Sequence, residues 1–361
     1  MKIALITDTH FGARGDHAAF DKHFEKFYKD TFIRTLDERD VRSVIHLGDM
    51  FDRRKYINYL TLSNCRKYFF DPLYGRGIEI DVIVGNHDVF YKNTNEVNSP
   101  SLLLNDYDNI TVVDQPDTYR YDGLDILMLP WICADNYQQV MDLIQSTPAQ
   151  VCFGHLELAG FQMYKGQVND HGFDANIFNR FDLVCTGHFH HRSSSGNIHY
   201  LGNPYELTWA DYEDPRGFHI FDTETRELEF IQNPSRMFHK VFYNNEYKVA
   251  EYDHLKDCFV KVIVQSRDNP LQFDMLIDKL EKAGIADLQV VDDHMHMDLQ
   301  DDDDIIESAE DTMTILSKFC EQLDTTADKK RLDNLLRNLY NEAINIAVSY
   351  THLTLPTICS V

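Results

Sequence analysis

The sequence predicts an α/β protein that carries the polar ends of several strands to one cleft. Three observations predict it. The apolar runs Ile3 to Ile6, Val44 to Leu47, Ile80 to Val84 and Leu183 to Cys185 have the length and residue types of buried strands, and Val151 to Phe153 is a shorter one. Each run leads into a polar cluster: Asp8-Thr9-His10, Gly48-Asp49, Gly85-Asn86-His87-Asp88, Gly154-His155 and Gly187-His188-Phe189-His190. Helix-like segments alternate with strand-like ones over the first two-thirds of the chain. In such folds ligands gather outside the carboxyl ends of the strands.

In chain order, Ala18 to Leu36 is predicted as a helix, with Phe20, Phe24, Phe27, Tyr28, Phe32 and Leu36 on one broad face that reads as core. Tyr56 to Phe70 is predicted as a second helix, ended by Asp71-Pro72. Strands follow at Ile126 to Leu129, Val151 to Phe153, Leu183 to Cys185, Ile198 to Leu201, Phe218 to Phe221 and Leu228 to Ile231. Asn233-Pro234-Ser235 marks a boundary after a main domain, 1–232. Residues 233–297 read as a small α+β unit, with an alternating strand in Phe259 to Val264 and a helix from Pro270 to Ala283. His294 and His296 are a pair that could bind metal, but in a polar stretch such a pair is more often solvated. Residues 298–304, with the run Asp301 to Asp304, read as an acidic linker. Residues 305–348 carry two amphipathic stretches, Ile305 to Phe319 and Leu332 to Ala347, which predict a helical hairpin with an apolar face. The tail 349–361 breaks that pattern and reads as non-native.

One polar cluster alone means little, because a lone His after a strand is usually a satisfied loop or core residue. Five in this order carry more, and glycine stands beside four of them. Glycine lets the backbone turn sharply so that the next side chain faces a shared centre. Carboxylate, imidazole and amide oxygen together are the mixed ligands of paired catalytic transition metals.

Composition bounds the rest. The chain has 361 residues and a formal net charge of -25, awkward for a protein that would hold DNA by neutralising phosphates. Eleven acids, with no Lys or Arg among them, fall between Ala283 and Ser317, so the excess is concentrated there. A local basic run, Arg53-Arg54-Lys55, follows the second cluster and is a candidate phosphate contact. No apolar run approaches the roughly 18 residues of a membrane helix. Met1 to Thr9 lacks a basic leader, and seven scattered cysteines form no Cys-x-x-Cys pair. These features predict a cytoplasmic protein.

The ordered clusters resemble those of the calcineurin-like metallophosphoesterases. Gly48-Asp49-Met50-Phe51-Asp52 and Gly187-His188-Phe189-His190 are similar to the SbcD and meiotic-recombination-eleven DNA repair nucleases. Leu129-Pro130-Trp131, Tyr164-Lys165-Gly166 and Asp214-Pro215-Arg216-Gly217-Phe218 resemble the recombination endonuclease subunits of large tailed phages. The resemblance implies a four-layer α/β/β/α sandwich with a small capping domain and a C-terminal hairpin. It implies two divalent metals, manganese foremost. One would be held by Asp8, His10, Asp49 and His190, the other by Asp49, Asn86, His155 and His188. His87 is left to protonate the leaving oxygen, with Asp88 orienting it.

The resemblance further implies a homodimer and an SMC-like coiled-coil ATPase bound through the hairpin, since the chain has no phosphate-binding loop of its own. The expected activity is that of a DNA nuclease, 3′-to-5′ on duplex ends and endonucleolytic on single strands and hairpins. Two alternatives stay open. A related phosphoesterase could act on cyclic nucleotides or phosphoproteins, although Asp88 stands where phosphoprotein phosphatases carry Glu. A non-catalytic scaffold for the ATPase is the other, disfavoured because every ligand position is filled.

Overall fold

In a computed structural model the chain is described over residues 1–292, apart from 245 and 249, and at Leu332. Residues Met1–Asp301 form one compact unit. The strands in chain order begin with β1 (Lys2–Ile6), β2 (Ser43–His46), β3 (Glu79–Ile83), β4 (Ile110–Val113), β5 (Asp117–Tyr121), β6 (Leu124–Leu129) and β7 (Val151–His155). A short hairpin, β8 (Gln162–Tyr164) and β9 (Gln167–Val168), precedes β10 (Leu183–Gly187), β11 (Ser193–Ser195), β12 (Ile198–Tyr200), β13 (Gly217–Asp222) and β14 (Leu228–Gln232). They build two six-stranded mixed sheets, ordered β14-β13-β1-β2-β3-β4 and β11-β12-β10-β7-β6-β5. Within the first, β1 to β4 run parallel; within the second, β6, β7, β10 and β12 do.

Side chains alternate across each strand, and that alternation makes the layers. Ile3 and Leu5 of β1 join Ile45, Ile126, Met128, Val151, Phe153 and Cys185 in the core between the sheets. Ala4 and Ile6 face the other way, into a core with Phe20, Phe24, Phe27, Tyr28, Phe32 and Phe69 from the helices. Leu127, Cys152 and Val184 pack outward against Val140 and Ile144 of the helix Tyr137–Ser146. The result is the expected helix-sheet-sheet-helix sandwich. Phe24 stacks on Tyr205 with centroids 3.9 Å apart, and each such ring, fully buried, contributes about 1.5–3 kcal/mol.

The two predicted helices are present with interruptions. The first runs Ala18–Phe27, passes through a π-turn at Tyr28–Phe32 and resumes at Ile33–Arg39. The extra residue of the π-turn lets Phe27, Tyr28 and Phe32 all enter the core. The second runs Tyr59–Cys65 with a π-turn at Arg66–Phe70, but Pro72 does not end it: Asp71–Tyr74 is a further helical turn with Pro72 at its start. Proline's fixed φ and missing N–H suit a first turn. Strands β4 and β5 and the helix Tyr137–Ser146 are not predicted: the strands are only four and five residues long, and the helix carries an amphipathic pattern, with Val140 and Ile144 buried, that the sequence reading does not use.

After Asn233 come β15 (Phe238–Tyr243), β16 (Phe259–Val264) and β17 (Asp287–Asp292), a parallel three-stranded sheet with the helix Pro270–Lys282. Central β16 does not alternate, because it is covered on both faces: Val260 and Val262 pack on Leu276 and Leu280, and buried Lys261 lies over the Trp209 ring at 4.3 Å. The linker 298–304, the stretches predicted as a hairpin in 305–348, the tail 349–361, and His294 and His296 lie outside the described residues, Leu332 apart. No helix among the described residues is long and apolar enough to cross a membrane.

Candidate metal centre

The loops after β1 and β2 run side by side. Asp8 N–H donates to Gly48 O at 3.0 Å, His10 N–H to Asp49 O at 3.1 Å and Phe11 N–H to Met50 O at 2.9 Å. Asp8, His10, Asp49 and His188 all hold positive φ, between 42° and 91°. Such backbone is costly for residues other than glycine, and its concentration at strand ends marks a place where side-chain direction is enforced by the surroundings. Gly85 and Gly187 are needed for close approach: a Cβ at Gly85 would collide with Asp49, and one at Gly187 with Thr7 and Asp8.

Two groups of ligand atoms result. Asp8, His10 and His190 each bring one within 4.8 Å of the others, and Asp49, His155 and His188 do the same. Asp49 lies between them, its Oδ2 3.3 Å from His155 Nε2 and 3.9 Å from His10 Nε2. Asn86 Oδ1 is 2.9 Å from both His155 Nε2 and His188 Nδ1, and so belongs to the second group. His155 Nδ1 faces Leu47 O at 2.7 Å, and a carbonyl can only accept, so Nδ1 carries a proton there. In the neutral ring Nε2 then turns its lone pair inward. The seven ligand residues proposed from sequence therefore come together.

Residues 1–192 match the calcineurin-like phosphoesterase family. The chain belongs to that family. It is 32% identical to exonuclease subunit 1 of Enterobacteria phage T4 over 95% of its own length and 99% of that relative. It is 23% identical to the SbcD component of the SbcCD nuclease of Staphylococcus saprophyticus, over 76% of this chain and 77% of that one. It is also 27% identical to the DNA double-strand break repair protein Mre11 of Sulfurisphaera tokodaii, over 53% of this chain and 49% of that protein.

The donor set of this calcineurin-like phosphoesterase fits a pair of divalent cations. The Nε2 atoms of His10 and His190 face each other at 3.1 Å, and Nδ1 of His190 is buried with no hydrogen-bond partner. Burial opposes charging His10, yet Asp52, Asp49 and Asp8 outweigh it and raise the ring to about 9. His155 rises to about 9 in the same way, burial being overcome by Asp49 and Asp8. Burial, then the charge of His155, lowers His188 to about 3, and burial with His10 pushes His190 well below the usual imidazole range. Asp49 is held well below the usual carboxylate range: burial opposes, but His155 and His87 prevail. Protons and imidazoles thus balance charge that cations would otherwise balance.

His87 enters differently from the ligands. Its backbone N–H donates to Asp49 Oδ1 at 2.7 Å, and its ring Nδ1 lies 2.7 Å from Asp52 O. Asp88 does not orient it through the ring. The Asp88 carboxylate accepts from Met50, Phe51 and Gly85 N–H at 2.9 to 3.2 Å, bracing the loop after β3 against the loop after β2. Adjacent loop side chains point apart, and the buried one here turns to the backbone. Burial, then Asp49, raises Asp88 to about 7.

Of the basic run, Arg53 is engaged by Asp16 at 2.9 Å and lies over Tyr56, while Lys55 lies over Phe90. Arg54 has its Nε buried. Sequence reasoning gives no role to Asp52, 3.5 Å from His10 Nδ1, to Thr7, which donates to Asp8 at 2.7 Å, or to Trp131, whose ring lies 5.2 Å from His188. The position of Asp52, three after Asp49, is the one available signal. Arg216 is missed as well: buried, it donates to His190 O and Asn203 Oδ1, and binds Asp211 and Asp214 at 2.8 and 2.7 Å.

Proposed function

We propose that the chain is a DNA nuclease that hydrolyses phosphodiesters with two divalent metals, manganese foremost. The observation that carries this reading is the Asp49 carboxylate standing between two groups of nitrogen and oxygen ligands. Asp8, His10, Asp49 and His190 would hold one cation, and Asp49, Asn86, His155 and His188 the other. When bound, such a pair lowers the pKa of a water and clamps phosphoryl oxygens. An imidazole-rich site with only two carboxylates favours Mn, Fe or Zn over Mg. The phage and staphylococcal relatives are named as nucleases and the archaeal one as a break-repair protein, which supports DNA as the substrate.

The chain's own residues supply the remaining chemistry. With Nδ1 directed at the Asp52 carbonyl, His87 in its charged form carries a proton on Nε2, available to the leaving 3′ oxygen. Exposed Lys55 is the member of the basic run best placed to meet a phosphate. The reading includes 3′-to-5′ exonuclease action on duplex ends and endonuclease action on single strands and hairpins.

Two partners complete the proposal. Tyr59 and Leu60, neighbours at the start of one helix, are 86% and 67% exposed. These exposed apolar side chains support a homodimer. The amphipathic stretches in 305–348 support docking of an SMC-like coiled-coil ATPase. The proposed domains are a nuclease body at 1–232, a cap at 233–297 and the hairpin beyond an acidic linker.

The test offers linear duplex, single-stranded DNA and a small phosphodiester in parallel to purified protein with manganese. Cleavage of both DNAs is expected, and cleavage of the small diester alone would contradict the DNA reading. Truncation before Ile305 should end co-purification with the ATPase while leaving single-strand cleavage. Equal binding by full-length and truncated chains places the interface elsewhere.

A further inference from the structure

A cavity of about 500 Å³ opens between the first helical run and the segment flanking β15, and none of its lining residues belongs to the metal centre. Lys26 lines it from the helix Ala18–Phe27, and Arg236 and Lys256 line it from the segments that lead into β15 and β16. Against these three cations the lining holds one carboxylate, Asp30. Nearby Asp257 is already paired with Lys22 at 2.7 Å. In a chain with a formal net charge of -25, a concave surface with a positive balance is a departure from the rest of the molecule.

The other titratable groups of the recess add no negative charge. Burial lowers His23 and His239, whose rings are hydrogen-bonded to the backbone of Asp257 and Arg236, so near neutrality they add no charge to the recess. The thiol of Cys258, at the buried floor 3.9 Å from His23 Nε2, is pushed up to about 11 by burial and so adds no negative charge. Imidazoles and a thiol could suggest a metal, but their ligand atoms are not gathered within one ion's reach as those of the metal centre are. Three flanking cations would also repel one. Ammonium and guanidinium groups lining one recess are the chemistry of phosphate recognition.

We propose that this cavity binds a phosphate group, carried by a free nucleotide or by a DNA strand. Lys26, Arg236 and Lys256 would be its cationic partners. The site does not depend on the metals.

The test is calorimetric titration of the full-length protein in chelator with inorganic phosphate, deoxyadenosine monophosphate and a short single strand. The double variant Arg236→Ala/Lys256→Ala and the single variant Lys26→Ala change exposed residues, and an unaltered unfolding midpoint checks their folding. Saturable binding is expected, weakened roughly tenfold or more in the double variant, as for loss of charge-assisted hydrogen bonds. Tighter binding of the nucleotide identifies a free phosphoanion as the ligand, and tighter binding of the strand identifies the DNA backbone. Absence of binding by all three probes, or binding unchanged in both variants, overturns the proposal. Manganese-dependent cleavage measured on the same preparations reports separately on the nuclease reading.

Discussion

The Nε2 atoms of His10 and His190 stand 3.1 Å apart, although 180 residues separate them in the chain. His190 is the neutral partner, and once His10 gives up its proton the two Nε2 lone pairs and the Asp8 carboxylate make a candidate cation site with an anionic member. His190→Ala removes one of its four proposed ligands, the others being Asp8, His10 and Asp49. The variant is expected to bind one manganese tightly where the unaltered chain binds two, read by elemental analysis after desalting. Retention of both metals would take His190 out of the ligand set.

Metal uptake should release protons. In the metal-free chain His10 and His155 are raised to about 9, and both are therefore charged at pH 7. A cation requires the neutral ring, so binding displaces those protons and affinity rises with pH until about 9. Calorimetry in two buffers of different ionisation enthalpy measures the release. Identical heats in both buffers contradict it.

His87→Ala should lower turnover about 100- to 10,000-fold, the usual contribution of one general acid. Metal content should hardly change, because its ring nitrogen is directed at Asp52 O and its link to Asp49 is through the backbone N–H. Loss of a metal in this variant would make His87 a ligand instead.

Asp88→Asn should destabilise the fold by about 1–3 kcal/mol, because an amide presents an NH₂ group to backbone donors that a carboxylate satisfied. The unfolding midpoint in urea measures this. An unchanged midpoint would show that the brace between the two loops is dispensable.

Much of this centre is legible in the sequence because its ligands sit where apolar runs end, and a strand end followed by glycine restricts where the next side chain can go. Asp8, Asp49, Asn86, His155 and His188 are found that way. Asp52 and Arg216 are not, since their parts arise from packing between distant segments: Asp52 meets His10 across two loops, and Arg216 reaches back to the carbonyl of His190. The direction of Asp88 is equally hidden, because sequence cannot say which neighbour on a loop turns inward. The same limit applies to the helices, where Pro72 reads as a stop yet begins a turn after a π-segment.

The central claim is a two-metal centre bridged by Asp49, and elemental analysis of manganese-loaded protein, set beside Asp49→Ala, tests it most directly. Two equivalents per unaltered chain, with loss of metal and of DNA cleavage together in Asp49→Ala, is the predicted result. One equivalent or none in the unaltered chain, or an Asp49→Ala variant that keeps both metals and its activity, would contradict it.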